Sequence, residues 1–314
     1  MHRLTRAALG VSAAGAAAGL AAVGYAAGIE RNSFRLRRIT VPVLPRGARP
    51  LRVLHLSDLH ITPGQSRKRD WVRSLADLRP DLVIDTGDNL AHLQAVPMAL
   101  ETLEPLLERP GAFVLGSNDY WAPTPKNPAL YLRRDLGRRR VGIRLPTDDL
   151  VDGLTSAGWT DLDNARTVVR VNGLDIELVG VNDPHMRYDR YESVAGPADP
   201  AAALTIGVMH APYQRVLDAM SRDGVRLLVA GHTHGGQLCL PGYGALVTNC
   251  DLDRHRASGL SRWWPEAGLD ARSALRPAPA DAAWLHVSAG LGTSPYAPVR
   301  FACPPEATLM TLTP

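Results

Sequence analysis

The sequence predicts an α/β fold. Apolar runs at residues 51–56, 82–85 and 112–115 each stop abruptly in a polar loop, and stretches of helical periodicity separate them. Two more apolar runs, 204–209 and 226–230, end at histidines. Of the 314 residues, 45% are hydrophobic but only 5% aromatic, so aliphatic side chains must fill a sizeable core.

In chain order, residues 7–29 form an uncharged run rich in Ala, Gly, Val and Leu behind Arg3 and Arg6. About 20 apolar residues cross a bilayer, so residues 1–30 read as a single N-terminal membrane anchor. The rival reading is a signal segment cut near Gly24-Tyr25-Ala26, with export of the remainder. Arg31, Arg35, Arg37 and Arg38 follow at once, so both flanks are basic and the side of the membrane stays open. Residues 31–50 read as a basic connector with an edge strand at 38–41, and residues 51–314 as the catalytic domain.

Within that domain the strand 51–56 leads to a helix over 69–78, which Pro80 stops. The strand 82–85, a helix over 95–107 and the strand 112–115 follow. Residues 122–148 are rich in Pro and Arg and read as a surface insertion able to cap a site; the arginines at 133–134 and 138–140 read as a solvated run. A helix at 149–157 precedes a hairpin, 167–171 and 175–179, turned by Asn172-Gly173. After 226–230 come a Gly-rich stretch, a loop around 251–280 and closing strands at 284–287 and 307–312.

The net charge of +4 is too small and dispersed to argue for nucleic acid, and Lys68 and Lys126 are the only lysines. Cys239, Cys250 and Cys303 are odd in number and lack CxxC spacing, which excludes a disulfide framework and leaves room for one bridge at most. Buried small hydrophobes are the plain reading of all three. Nothing in the sequence sets the oligomeric state.

Five short motifs lie just past strand ends: Asp58-x-His60, Gly87-Asp88-Asn89, Gly116-Ser117-Asn118-Asp119, Met209-His210-Ala211-Pro212 and Gly231-His232-Thr233-His234-Gly235. Each alone is weak; their order at one expected sheet edge is not, because open α/β sheets bind ligands at the carboxyl ends of their strands. Carboxylates and imidazoles together suit Mn, Fe or Zn. Asp58 and His60 can aim at one ion from a tight turn, Asp88 can bridge two ions with its two oxygens, and His232 and His234 can each reach a different ion. That is enough for two divalent metal ions about 3.5–4 Å apart.

These motifs resemble the calcineurin-like metallophosphoesterase superfamily over about residues 50–313. The phrases Leu56-Ser57-Asp58-Leu59-His60, Gly231 to Gln237, and Gly290-Leu291-Gly292-Thr293 with Pro304-Pro305-Glu306 resemble its YkuE-like, membrane-associated branch. The resemblance implies a four-layer α/β/β/α sandwich with two facing mixed β-sheets. It also implies that Asp58, His60 and His234 hold a first ion, that Asp88 bridges, and that Asn118, His210 and His232 hold a second. Asp88, Asn118 and His234 are expected to be catalytic as well as metal-binding.

One motif departs from the family pattern of Gly-Asn-His followed by an acidic residue. Without a gap, Ser117 takes the place of the ligand Asn and Asn118 that of the His which protonates or orients the leaving group; Asn118 is preferred as ligand because an amide oxygen coordinates better than a neutral hydroxyl. That His is missing either way, which favours an acidic leaving group; His92 and His185 are the candidate substitutes from elsewhere, though the plainer reading of each is an ordinary loop histidine. Tyr120-Trp121 either stacks on a substrate or packs on its own helix, and His55 within an apolar strand reads as structural. The expected activity is hydrolysis of a phosphomonoester, phosphodiester or pyrophosphate by a metal-bridging hydroxide, on a phosphorylated small-molecule or lipid-linked substrate at the membrane. The rival is a metal-binding membrane scaffold without catalysis, and no nucleic-acid partner is expected.

Overall fold

Two six-stranded sheets carry the domain in a computed structural model that describes residues 17–125 and 142–314. The elements run β1 (Arg35–Pro42), β2 (Leu51–Leu56), α1 (Ser66–Ser74), β3 (Leu82–Asp85), α2 (Ala95–Leu107), β4 (Gly111–Phe113), α3 (Ser117–Tyr120), α4 (Thr147–Ser156) and β5 (Thr160–Asp161). Then follow β6 (Arg166–Val171), β7 (Leu174–Gly180), β8 (Leu204–Val208), α5 (Gln214–Arg222), β9 (Leu227–Ala230), a ribbon of β10 (Cys239–Leu240) and β11 (Gly244–Ala245), β12 (Gly259–Trp263), β13 (Ala283–Val287) and β14 (Glu306–Thr313).

The first sheet has the order β1-β14-β2-β3-β4-β5 and the second β12-β13-β9-β8-β7-β6. Strands β2 to β5 are parallel, as are β7, β8, β9 and β13; β14 against β2, β6 against β7 and β12 against β13 are antiparallel. Both sheets are therefore mixed.

Side-chain alternation makes the layers. Leu51 and Val53 of β2 face the second sheet and share one core with Ile84, Ile176, Leu178, Ile206, Val208 and Val229. Leu54 and Leu56 point the other way, onto Val72 of α1, Ala99 and Leu103 of α2 and Leu150 and Leu154 of α4. On the far side, Val216, Leu217 and Met220 of α5 cover Leu228, Leu285 and Val287. The arrangement is the four-layer α/β/β/α sandwich with two facing mixed sheets.

His55 continues the inward face of β2 and meets His286 of β13 between the sheets, Nδ1 to Nδ1 at 3.0 Å, while its Nε2 lies 2.9 Å from Thr86 Oγ1. Burial holds both rings below the usual histidine range, His286 down to about 3, so two neutral rings share one proton between facing nitrogens. His55 ties one sheet to the other and has a structural role, as its place in an apolar strand suggests.

Several boundaries differ from expectation. The helix expected over 69–78 is α1 followed by a 3-10 turn at Leu75–Leu78. The loop expected around 251–280 contains β12, an edge strand whose half-buried Leu260, Ser261 and Arg262 lack clean alternation. The edge strand expected at 38–41 extends over all of β1, because it pairs along its full length with β14. In the insertion, Trp121 and Arg144 form a bridge at its base; residues 126–141, with the arginines at 133–134 and 138–140, lie outside the described residues.

Of the expected N-terminal anchor, residues 17–28 are helical and the earlier part lies outside the described residues. No helix among the described residues is long and apolar enough to cross a membrane. The helix docks by its end: Ala26 O accepts from Arg300 N at 3.2 Å, Tyr25 stands edge-on to Phe301, and the buried Glu30 carboxylate accepts from the N–H groups of Ala302 and Cys303.

Phe113 is fully buried under the helices at the end of β4. Truncation to Ala leaves a cavity there, and Phe113→Ala should lower unfolding free energy by about 3–5 kcal/mol in urea denaturation.

Candidate metal centre

All seven expected ligands lie past the carboxyl ends of parallel strands. Asp58 and His60 follow β2, Asp88 follows β3, Asn118 lies in α3 just beyond β4, His210 follows β8, and His232 and His234 follow β9. Asp58, His60, Asp88, His232 and His234 all take left-handed backbone, with φ between 45° and 69°. That region disfavours residues with a Cβ by about 1–2 kcal/mol each, so the surrounding structure must hold these turns in place.

Neighbouring loops do so by hydrogen bonding to one another. Asp58 N donates to Gly87 O at 2.8 Å, His60 N to Asp88 O at 2.9 Å and Ile61 N to Asn89 O at 2.8 Å. Gly87, with φ +83°, lies so close to the β4 loop that a Cβ would stand 2.7 Å from Val114 O. Asp119 completes the link. Its buried carboxylate accepts from the N–H groups of Asp88, Asn89 and Gly116 at 2.7–2.9 Å and of Leu90 at 3.2 Å. Burial and the Asp88 charge push the Asp119 carboxyl well above its ordinary range, and the N–H donors pull the other way. Sequence reasoning quoted Asp119 within its motif without assigning it this role; the acidic residue ending that motif was the available signal.

The side chains converge on a buried point. His60 Nε2 lies 3.3 Å from His234 Nε2, and Asp58 Oδ1 lies 3.6 Å from His234 Nε2 and 4.0 Å from His60 Nε2. Asp88 Oδ2 lies 3.6 Å from both His60 Nε2 and His210 Nε2, and His232 Nδ1 lies 3.3 Å from His210 Nε2. Asp58, His60 and His234 form one group of ligand atoms with the spacing of a metal site, and Asp58, Asp88 and His210 another. Asn118 sits on Asp88, its amide nitrogens donating to the two carboxylate oxygens at 2.7 Å. It is thus Asn118 that the fold brings to the centre; an exchange of amide O and N would turn its oxygen inward.

This set fits a divalent cation. Asp58 Oδ1 is fully buried with no hydrogen-bond partner among the described residues. Burial keeps His60 and His234 neutral, His60 down to about 4, and their Nε2 atoms face each other at 3.3 Å. A buried carboxylate oxygen and unprotonated nitrogens at this spacing are costly unless a cation satisfies them. His210 Nδ1 donates to Thr86 O at 2.7 Å, leaving Nε2 for the centre, as ligating histidines do. In the cation-free chain burial opposes charge on His210, but Asp88, Asp183 and Asp58 outweigh it and raise its pKa to about 9.

A second set of residues backs the ligands from the far side. The fully buried Arg300 donates to the carbonyls of Ala289, Gly290 and Gly292 at 2.7–3.0 Å, and its Nη2 lies 3.3 Å from His234 Nδ1. The loop it pins presses on the ligands: a Cβ at Gly292 would stand 2.7 Å from His60 Cβ. Glu306 holds that loop's start through Ala289 N and is itself paired with Arg37 at 2.6 Å. Lys68 Nζ reaches the carbonyls of Leu59 and His60.

His185, offered by the sequence only as an outside substitute, stands against the centre. Its ring centroid is 4.2 Å from that of His232, and its Nδ1 is 2.9 Å from Tyr213 Oη. His92 instead accepts from Gln94 N where the chain enters α2. Tyr120 is engaged by the protein, bonded to Asp163 and Asn182 and edge-on to Tyr188.

The family model described as calcineurin-like phosphoesterase matches residues 51–236. The chain belongs to that family. An uncharacterised metallophosphoesterase of Aquifex aeolicus (strain VF5) is 25% identical over 90% of this chain and 94% of its own. Phosphodiesterase YaeI of Escherichia coli (strain K12) is 25% identical over 89% of this chain and 88% of its own. The uncharacterised metallophosphoesterase YkuE of Bacillus subtilis (strain 168) is 24% identical over 86% and 82%. With its clustered Asp and His ligands, this calcineurin-like phosphoesterase is a metal-dependent hydrolase of phosphate esters.

Loading a cation onto the phosphoesterase must displace protons. His210, raised to about 9, carries one below that pH, and Asp58, raised by burial to about 6, carries another below 6. Binding that releases protons strengthens as pH rises. The apparent affinity for Mn²⁺ in chelator-buffered titrations should climb about tenfold per pH unit between 6 and 9, more steeply below 6, and level off above 9.

Proposed function

We propose that the protein is a two-metal phosphoesterase acting on phosphomonoester, phosphodiester or pyrophosphate bonds with acidic leaving groups. The observation that carries this reading is the position of Asp88, whose Oδ2 lies 3.6 Å from one histidine of each set, His60 and His210. Asp58, His60 and His234 would hold one ion, His210, His232 and Asn118 the other, and Asp88 both. The mixed carboxylate and imidazole donors suit Mn, Fe or Zn. Bound divalent cations acidify water and neutralise charge on phosphoryl oxygens.

The chain's own residues set the rest. His210 is oriented by Thr86 O, and Asp88 by the Asp119-bound loop and by Asn118. Asn118 cannot supply a proton as the His usual at that position does, and general acid assistance contributes about 10²–10⁴-fold. An anhydride or activated ester, whose leaving group departs without a proton, suits such a site. His185, half-buried beside His232, would be the substitute proton donor.

Membrane association and a lipid-linked substrate belong to the same proposal. Leu20, Val23 and Ile29 are exposed on the N-terminal helix and its end, and Arg31, Arg35, Arg37 and Arg38 follow. Apolar side chains beside a basic flank suit an anionic membrane surface.

The test is hydrolysis of bis-p-nitrophenyl phosphate by the full chain with Mn²⁺. Turnover should vanish with chelator and return with metal. Asp88→Asn should lower kcat by more than about 100-fold, since loss of an outer-shell partner alone costs about 10–100-fold. Metal retention without turnover on any mono-, di- or pyrophosphate ester would favour the scaffold instead.

A further inference from the structure

Cys239 and Cys303 stand together directly behind a metal-ligand loop. Leu238 and Phe301 form an isolated parallel bridge, and Cys239 N donates to Phe301 O at 2.9 Å, so the two segments run side by side. The two thiols converge on one acceptor, Gly235 O, at 3.1 Å from Cys239 Sγ and 3.5 Å from Cys303 Sγ. That carbonyl adjoins the second histidine of the His-Thr-His turn, and Cys303 Sγ also lies 3.2 Å from His234 O. Gly235 permits this approach, since a Cβ there would stand 2.6 Å from Cys303 Sγ.

A solitary buried cysteine is an inert small hydrophobe; a second sulfur within contact makes exchange chemistry available. Both cysteines are buried against the protein, yet both line one cavity of about 480 Å³, with Arg37, Tyr243 and Arg254 among its other walls. That volume admits a small disulfide reagent. Cys250 does not line it.

We propose that Cys239 and Cys303 are a reversible thiol–disulfide modification site, closed by a low-molecular-weight disulfide entering this cavity, and that closure resets the His234 turn. One cysteine sulfur attacks the reagent, its S–S bond breaks and one small thiol leaves carrying a proton. The second cysteine attacks the mixed disulfide and expels the second small thiol. The protein pair is oxidised by two electrons, the reagent is reduced to two thiols, and nothing else is needed. Closure brings the sulfurs to about 2.05 Å. Neither thiol then has a hydrogen for the carbonyls of His234 and Gly235, and the segment bearing Cys303 is drawn toward the turn. The thiol chemistry stands by itself; its effect on the metal centre rests on the function proposed above.

The experiment treats the full-length Cys250→Ser chain with bis(2-hydroxyethyl) disulfide, alkylates it after denaturation and weighs it. Both thiols should disappear together with a loss of about 2 Da and no adduct, and a peptide joining Cys239 to Cys303 should appear. Phosphodiesterase activity and bound metal should fall by about tenfold or more and return with dithiothreitol, and Cys239→Ser should abolish this response. Two thiols that still alkylate, or a reaction that stops at the mixed adduct, would overturn the site. A disulfide that forms while bound metal stays unchanged would overturn its link to His234. Thiol count and metal content are read without turnover, so an inactive chain still decides both.

Discussion

Two aspartates and four histidines crowd into a largely buried space, where polar groups are costly unless satisfied. Asp58 and Asp88 repel each other, and two neutral imidazoles, His60 and His234, bring their Nε2 atoms to 3.3 Å. The same carboxylates, with Asp183, outweigh burial at His210 and raise its pKa to about 9. Much of the surrounding architecture serves to hold this unfavourable cluster until a cation fills it. Left-handed backbone at five ligands stores strain, and Asp119 and Arg300 return hydrogen bonds that keep those turns from relaxing.

The sandwich explains how residues as far apart in sequence as Asp58 and His234 meet. Parallel strands send their carboxyl ends to one side of each sheet, and the shared core of Val53, Ile84, Ile206 and Val229 keeps the two sheets face to face. The His55–His286 contact links β2 to β13, the neighbour of β9, and so ties one sheet to the other. The first sheet supplies Asp58, His60, Asp88 and Asn118; the second supplies His210, His232 and His234. Slippage of one sheet would separate the halves of the site.

What could be read beforehand follows from how local each signal is. Apolar runs ending in Asp or His located β2, β3, β8 and β9, and the Asn172-Gly173 turn located the β6–β7 hairpin, with Asn172 and Gly173 both left-handed as such a turn requires. The candidate ligands followed from the motifs and the family resemblance they carry, and the fold brings these side chains near one another. Asp119 as an organiser, Arg300 as a brace and the contact of Cys239 with Cys303 depend on pairings between distant segments, for which the sequence offers no spacing rule. The edge strand β12 escaped notice because its first four residues are all half-buried and lack alternation. The contact of His185 with His232 was not legible either, because Asp183 and Tyr213 hold His185 there from separate segments of the chain.

The central claim is that these seven side chains form one centre for a pair of cations. Its most direct measure is the metal content of the full chain by mass spectrometry after equilibration with Mn²⁺ and removal of loosely bound ions. The account predicts close to two metal ions per chain in the native protein and a large loss when Asp88, shared by both histidine sets, is replaced. A chain that retains no divalent ion, or holds the same amount without Asp88, contradicts it.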